Sequence, residues 1–154
     1  MKNTLDLIVY DFDGVMTNDY AYIDNKGNEF VQVSRKDGLG VSLIKKLGIK
    51  QIIMSSEHNK VVTSRAEKLN IKCIQGIKNK KDTLSKYCVE NNFDLEKVGF
   101  IGNDLNDLEA MSVVGKSFCP ADANKKIKDV ANFVMNTNGG NGVIRELYDL
   151  ICEG

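Results

Sequence analysis

Short apolar runs alternate with longer amphipathic stretches along most of this chain. Leu7-Ile8-Val9-Tyr10, residues 49–54, residues 71–74 and Val98-Gly99-Phe100-Ile101 read as buried strands. Residues 37–47 set Leu39, Val41, Leu43, Ile44 and Leu47 at helical spacing and then meet Gly48, a helix stop. Similar patterns predict helices over 59–69, 80–92, 104–112, 123–131 and 142–152, with short strands near 117–119 and 133–135. One region breaks the rhythm. Residues 20–24 and 29–34 are rich in Tyr, Ile, Phe and Val, and Asp24-Asn25-Lys26-Gly27-Asn28 joins them as a β-hairpin would.

Strands alternating with helices predict an α/β fold, with a central parallel sheet covered by helices on both faces. The hairpin would be an insert at about 19–35, after the first strand. At 154 residues the chain can bury one sizeable core, and no linker, repeat or low-complexity segment divides it. Residues 1–154 therefore read as a single domain.

Charge narrows the function. Twenty-one Lys and Arg balance 21 Asp and Glu, which gives no basic surface for nucleic acid or an anionic membrane. Met1–Asp6 carries charge where a leader needs an apolar run, and nothing approaches the ~20 apolar residues of a membrane span. A cytoplasmic protein is expected. Cys73, Cys88, Cys119 and Cys152 form no CxxC pair and read as reduced core residues. His58 is the single histidine, which argues against a His/Cys zinc site, and no Gly-x-Ser-x-Gly elbow supports a Ser-His-Asp relay. It reads as a surface or cap residue. The chemistry falls to carboxylates, lysines and hydroxyls.

Four loops follow expected core strands, and in a parallel sheet all four open on one edge, where ligands bind. Asp11-Phe12-Asp13-Gly14 supplies two acids whose i, i+2 spacing on extended backbone aims them the same way. Paired acids need a compensating cation, and a hard divalent ion such as Mg²⁺ suits oxygen ligands. Ser55-Ser56-Glu57 offers hydroxyls and the N–H groups of a following helix for a phosphate; capping of that helix accounts for the serines equally well. Lys78, Lys80 and Lys81 suit a solvated helix start as well as a phosphate contact. Gly102-Asn103-Asp104-Leu105-Asn106-Asp107 supplies oxygen ligands, or simply a polar first helical turn.

Acid pair, hydroxyl, lysine and acid cluster in this order suit phosphoryl transfer. The set resembles the haloacid dehalogenase superfamily of phosphatases. Asp11-Phe12-Asp13-Gly14-Val15 matches its DxDx[VT] motif, Ser55 its second, Lys80 its third and Gly102–Asp107 its acidic fourth. The resemblance implies a Rossmann-like core, Asp11 as nucleophile and Asp13 as general acid/base. Ser55, Ser56 and Lys80 would hold phosphate, and Mg²⁺ would sit on Asp11, Asp13 and Asn103 or Asp104. Residues 33–40, Gln75-Gly76, 120–123 and 139–146 are similar to the capless branch that contains octulosonate 8-phosphate and nonulosonate 9-phosphate phosphatases. They are also similar to the phosphatase-like module of acylneuraminate cytidylyltransferases. That branch implies a sugar-phosphate substrate, contacted here by Lys36, Glu57, Asn106, Asp107, Gly140 and Asn141. It also implies a homotetramer in which the hairpin packs between subunits and a neighbour closes the site.

Three positions depart from the branch. Asn103 stands where many members have Asp, Ser55-Ser56-Glu57 replaces Thr-Gly-Arg, and Asn141 replaces an Arg. Two lost cations tilt the expectation toward a nine-carbon substrate, with Lys36 and Arg35 as partial compensation. Asn103 also keeps open a weakly active or inactive module that serves assembly beside a cytidylyltransferase. A receiver-like regulatory domain fits less well, because its acid pair is adjacent and here Phe12 splits it.

Overall fold

The computed structural model describes residues 4–154; the first three residues of the charged N-terminal segment lie outside the described residues. The first strand, β1 (Leu7–Tyr10), is buried at every position, as a central strand of a doubly covered sheet must be. It lies between β4 (Lys50–Met54) and β6 (Val98–Ile101). With β5 (Lys72–Ile74), β7 (Lys116–Cys119) and β8 (Phe133–Val134) the sheet runs β5-β4-β1-β6-β7-β8, and every pairing is parallel. The connections are α1 (Arg35–Lys46), α2 (Lys60–Leu69), α3 (Lys80–Glu90), α4 (Leu108–Met111) and α5 (Lys125–Val130), and α6 (Val143–Glu153) ends the chain. The hairpin β2 (Thr17–Ile23) and β3 (Glu29–Val33) forms its own two-stranded antiparallel sheet.

Two apolar layers enclose the sheet. Ile8, Tyr10 and Ile53 face Val41, Ile44, Val62 and the inner side of α6, while Leu7, Val9 and Ile52 face Leu84, Cys88 and Ile127. This is the alternation of a pleated strand, buried on both sides. Tyr10 and Gln51 bring polar groups into the first layer and satisfy each other at 2.7 Å.

Two expectations change. The helix expected over 104–112 is a 3-10 turn, Leu105–Asp107, followed by the single turn α4. Asp104 and Asp107 form a reciprocal capping box there, which tightens the first turn. Cys88 and Cys119 are in the core, but Cys152 is exposed near the end of α6; all four cysteines are free.

The start of α6 is capped from another helix. Gly142 has no side chain to offer, and Asp37 of α1, itself buried, accepts from Ile144 N at 2.8 Å. Asp37→Ala leaves that donor unmatched, and a thermal or urea melt is expected to show a loss of about 1–3 kcal/mol. Burial pushes the Asp37 carboxyl up to about 6, against the backbone donors of α6 and the Arg65 guanidinium, which lower it. A raised carboxyl binds its proton more tightly in the folded state. Wild type should therefore gain stability over Asp37→Asn as pH falls from ~6 toward the ordinary carboxylate value near ~4.

Candidate active site

The loops after β1, β4 and β6, and the one leading into α3, meet at the C-terminal edge of the sheet, as the parallel order requires. They enclose a cleft of about 160 Å³ lined by Asp11, Asp13, Asp19, Ser55, Ser56, Glu57, Asn103, Asp104 and Asn106. A larger groove of about 720 Å³ between α1 and α2 is lined by Arg35, Lys45, Arg65 and Lys68 and includes none of the acid pair. Chemistry, not volume, locates the site.

Asp11 follows β1 directly, and its N–H continues the sheet by donating to Ile101 O. The chain then folds over Phe12, whose carbonyl accepts from Val15, Met16 and Thr17 N. Gly14 has φ +82°, and a Cβ there would collide with the Asn103 side chain. Thr17, fully buried, accepts from Gly14 N and Asp19 N and fixes the far side of the turn. Gly140 N donates to Val15 O, which braces the loop from behind.

Lys80 is not a solvated helix start. It is 3% exposed, and its Nζ lies 2.7 Å from Asp11 Oδ1 and 2.6 Å from Asp107 Oδ1. Asp107 has no exposed surface; its other oxygen accepts from Asn103 N at 2.9 Å and Asp104 N at 3.3 Å. Asp107 is therefore a positioning residue beneath the cleft, and the expectation that it touches substrate is corrected. Burial works to lower the Lys80 ammonium, but Asp11 and Asp107 outweigh it and hold the group above its ordinary range. Burial and Asp107 push the Asp11 carboxyl up to about 8, with Lys80 pulling the other way. With both carboxylates ionised, one ammonium between them leaves a net negative charge, which either a proton on Asp11 or a further cation would offset.

The surroundings fit one. The Asn103 amide stands with one terminal atom 2.9 Å from Asp11 Oδ2 and 3.0 Å from the Asp13 carbonyl. With the amide oxygen in that position, it stands about 3 Å from each of two other hard oxygens, the separation of neighbouring ligands in an octahedral Mg²⁺ site with bonds of ~2.1 Å. Asp104 lines the cleft, but its Oδ1 caps Leu105 N at 2.7 Å. Asn103 is the one that faces Asp11 and the Asp13 carbonyl. Among the described residues no group of three His, Cys, Asp or Glu could hold a metal; the donors here are one carboxylate, one carbonyl and one amide.

Ser55 is buried at the end of β4, and its Oγ accepts from Glu57 N at 3.1 Å. Capping does not explain this serine pair, because α2 starts only at Lys60 and Asn59 caps it. The same delay corrects the expectation that a helix N-terminus sits next to Ser55; the loop's own N–H groups flank the hydroxyl. Asn106 Nδ2 reaches Ser56 Oγ at 3.5 Å across the mouth. His58 is exposed, as expected.

The chain belongs to the haloacid dehalogenase-like hydrolases. That family matches residues 41–147. The chain is 32% identical to the 3-deoxy-D-manno-octulosonate 8-phosphate phosphatase of Yersinia pestis over 146 residues, 94% of this chain and 78% of that protein. The corresponding phosphatase of Moraxella catarrhalis, solved with magnesium, phosphate and KDO, superposes with a TM-score of 0.94 at 27% identity, covering 99% of this chain and 88% of that one. The cobalt-bound enzyme of Haemophilus influenzae gives 0.93 at 27% identity, covering 99% and 90%.

Three expected substrate contacts lie apart from the cleft lining. Lys36 is exposed and lies against Gly142, Asn141 is exposed, and Gly140 is occupied in bracing the acid loop. Sequence reading missed Asp19, which lines the mouth at the unusual φ of +70° with its carboxyl raised by burial, Asp104 and Asp122. It also missed Thr17. A polar pair just past the acid motif, at the start of an apolar hairpin, was the available signal.

Proposed function

We propose that this protein is a Mg²⁺-dependent phosphatase that removes the terminal phosphate of a 3-deoxy-2-keto sugar acid through an aspartyl-phosphate. The observation that carries this reading is Asp11, buried, tied to Lys80 and facing Asn103 and the Asp13 carbonyl. A carboxylate oxygen of Asp11 attacks phosphorus, and the bond from phosphorus to the sugar oxygen breaks. Asp13 gives its proton to the departing oxygen. It then takes one from the water that hydrolyses the aspartyl-phosphate, which frees phosphate and restores Asp11. Burial, then Glu57, Asp19 and Glu29, push the Asp13 carboxyl up to about 6, so it holds a proton closer to neutral pH than an ordinary Asp. Ser55 and Ser56 hydroxyls hold phosphoryl oxygens, while Lys80 keeps Asp11 in place and offsets charge beneath it. Mg²⁺ held by Asp11, the Asp13 carbonyl and Asn103 supplies charge neutralisation for the phosphoryl group.

The eight-carbon substrate of the relatives supports an octulosonate 8-phosphate. Glu57, which stands where octulosonate enzymes have Arg, favours a nonulosonate 9-phosphate instead; it lies beside Asp19 and Glu29 in an adjoining cleft of about 200 Å³. Phosphate release from both, side by side with Mg²⁺ and with Asp11→Asn as the blank, decides between them. No release from either would favour the assembly-module reading.

A cytoplasmic homotetramer is part of this proposal. Tyr20, Tyr22, Ile23 and Phe30 of the hairpin are 60–76% exposed, an apolar cluster that suits burial against other subunits. Tyr22→Asp combined with Phe30→Asp is expected to convert the tetramer to smaller species in sedimentation analysis and to lower turnover. A variant that sediments like wild type would remove the hairpin from the interface. Among the described residues no helix is long and apolar enough to cross a membrane.

A further inference from the structure

Asn103 can satisfy its surroundings in two ways. With its amide oxygen turned to Asp11 Oδ2 and the Asp13 carbonyl, the three acceptors need a cation or a proton between them. With the nitrogen turned there, the NH₂ group donates to Asp11 Oδ2 at 2.9 Å and to Asp13 O at 3.0 Å. The two arrangements have the same shape and differ only in which end of the amide points inward.

We propose that Asn103 is a metal-linked amide switch, closing the site with its NH₂ group when Mg²⁺ is absent and turning its oxygen inward when Mg²⁺ binds. This inference rests on the metal-dependent reading above and adds a state to it. Three features of the fold allow the turn. The Asn103 backbone is held on both sides, its N–H donating to Asp107 Oδ2 at 2.9 Å and its carbonyl accepting from Asn124 N at 2.9 Å. Only the side chain has to move. The outer end of the amide occupies the space where any residue but glycine at position 14 would place a Cβ, so rotation meets no side chain there. And Asp11 is buried, so leaving its oxygen facing other acceptors without a proton or cation would be costly.

An Asp at position 103 has no such option. It brings a third carboxylate close to Asp11 and Asp13, with no N–H to offer. It would bind Mg²⁺ more tightly, because a charged ligand replaces a neutral one, and would leave the metal-free site strained by repulsion. The chain has exchanged metal affinity for a metal-free state that is internally satisfied. The site would then load and unload with free Mg²⁺ rather than hold it permanently.

The test uses the full chain, as wild type and Asn103→Asp, with and without Mg²⁺. In EDTA, Asn103→Asp is expected to melt about 5 °C below wild type. By calorimetric titration it is expected to bind Mg²⁺ roughly tenfold more tightly. In wild type, the Asn103 side-chain ¹⁵N–¹H resonances should shift in step with Mg²⁺ binding. Asn103→Ala, which lacks both the donor and the ligand, should melt lower in EDTA and also bind Mg²⁺ more weakly. Mg²⁺ binding to wild type together with an Asn103→Asp that melts no lower in EDTA would overturn the switch while leaving the metal reading intact. No Mg²⁺ binding by wild type would overturn both.

Discussion

Asp11→Asn should abolish phosphate release, by at least roughly 10³-fold in kcat, while leaving the fold intact. The side chains are nearly isosteric, but an amide oxygen is a poor nucleophile and cannot form the aspartyl-phosphate. Asp11 is 5% exposed, and its charge is a burden to the metal-free fold, as its raised carboxyl shows. A neutral amide removes that burden, so the variant should melt at or above the wild-type temperature in EDTA. This separates loss of chemistry from loss of structure. Acid quenching of wild type during turnover should trap a base-labile phosphoryl group that the variant lacks. A variant that still turns over at the wild-type rate would place the nucleophile elsewhere.

The sheet was legible because its strands are nearly pure apolar runs, and a doubly covered parallel sheet leaves them no other place. Leu7–Tyr10 and Val98–Ile101 match their expected ends residue for residue. The hairpin was legible from Asp24–Asn28, where Asp24 Oδ1 accepts from Lys26 and Asn28 N. Its first strand begins earlier than expected, at Thr17, because Thr17 pairs with Val33 before an irregularity at 18–20. Polarity concealed those positions.

In the site, residue order anticipated that Asp11, Asp13, Ser55, Asn103 and Asp104 would share one cleft, since a parallel sheet brings all its loops to one edge. Depth was not legible. Lys80 stands among lysines that are exposed; the residues themselves did not set it apart, the family resemblance did, and the fold shows it turned inward. Asp107 belongs to a polar run whose other acid, Asp104, is exposed; nothing in Asn-Asp-Leu-Asn-Asp says which acid goes under the cleft. Positions 36, 140 and 141 show a different limit, since they lie outside the cleft lining of the single chain. Resemblance assigned them to substrate, whereas Gly140 in this chain serves the acid loop by a backbone bond to Val15.

Removing Lys80 should damage both activity and stability, unlike removing Asp11. In Lys80→Met the aliphatic stem is replaced closely, but Asp11 and Asp107 lose their shared ammonium at 2.7 and 2.6 Å. Two buried carboxylates then face each other without a cation, and breaking such a pair typically costs about 3–5 kcal/mol. At about 2–4 °C per kcal/mol for a chain of this size, the metal-free melting temperature should fall by about 10 °C. Mg²⁺ should restore part of it by neutralising Asp11, but not Asp107, which is held away from the cleft. Lys80→Met combined with Asp107→Asn should therefore recover more stability than the separate effects would add up to, a positive coupling between residues that share one charge. Activity should stay low in both, because the ammonium that positions Asp11 is gone. An unchanged melting temperature in Lys80→Met would mean that Asp11 and Asp107 already carry enough protons to need no cation, and the charge argument for metal at this site would lose its footing.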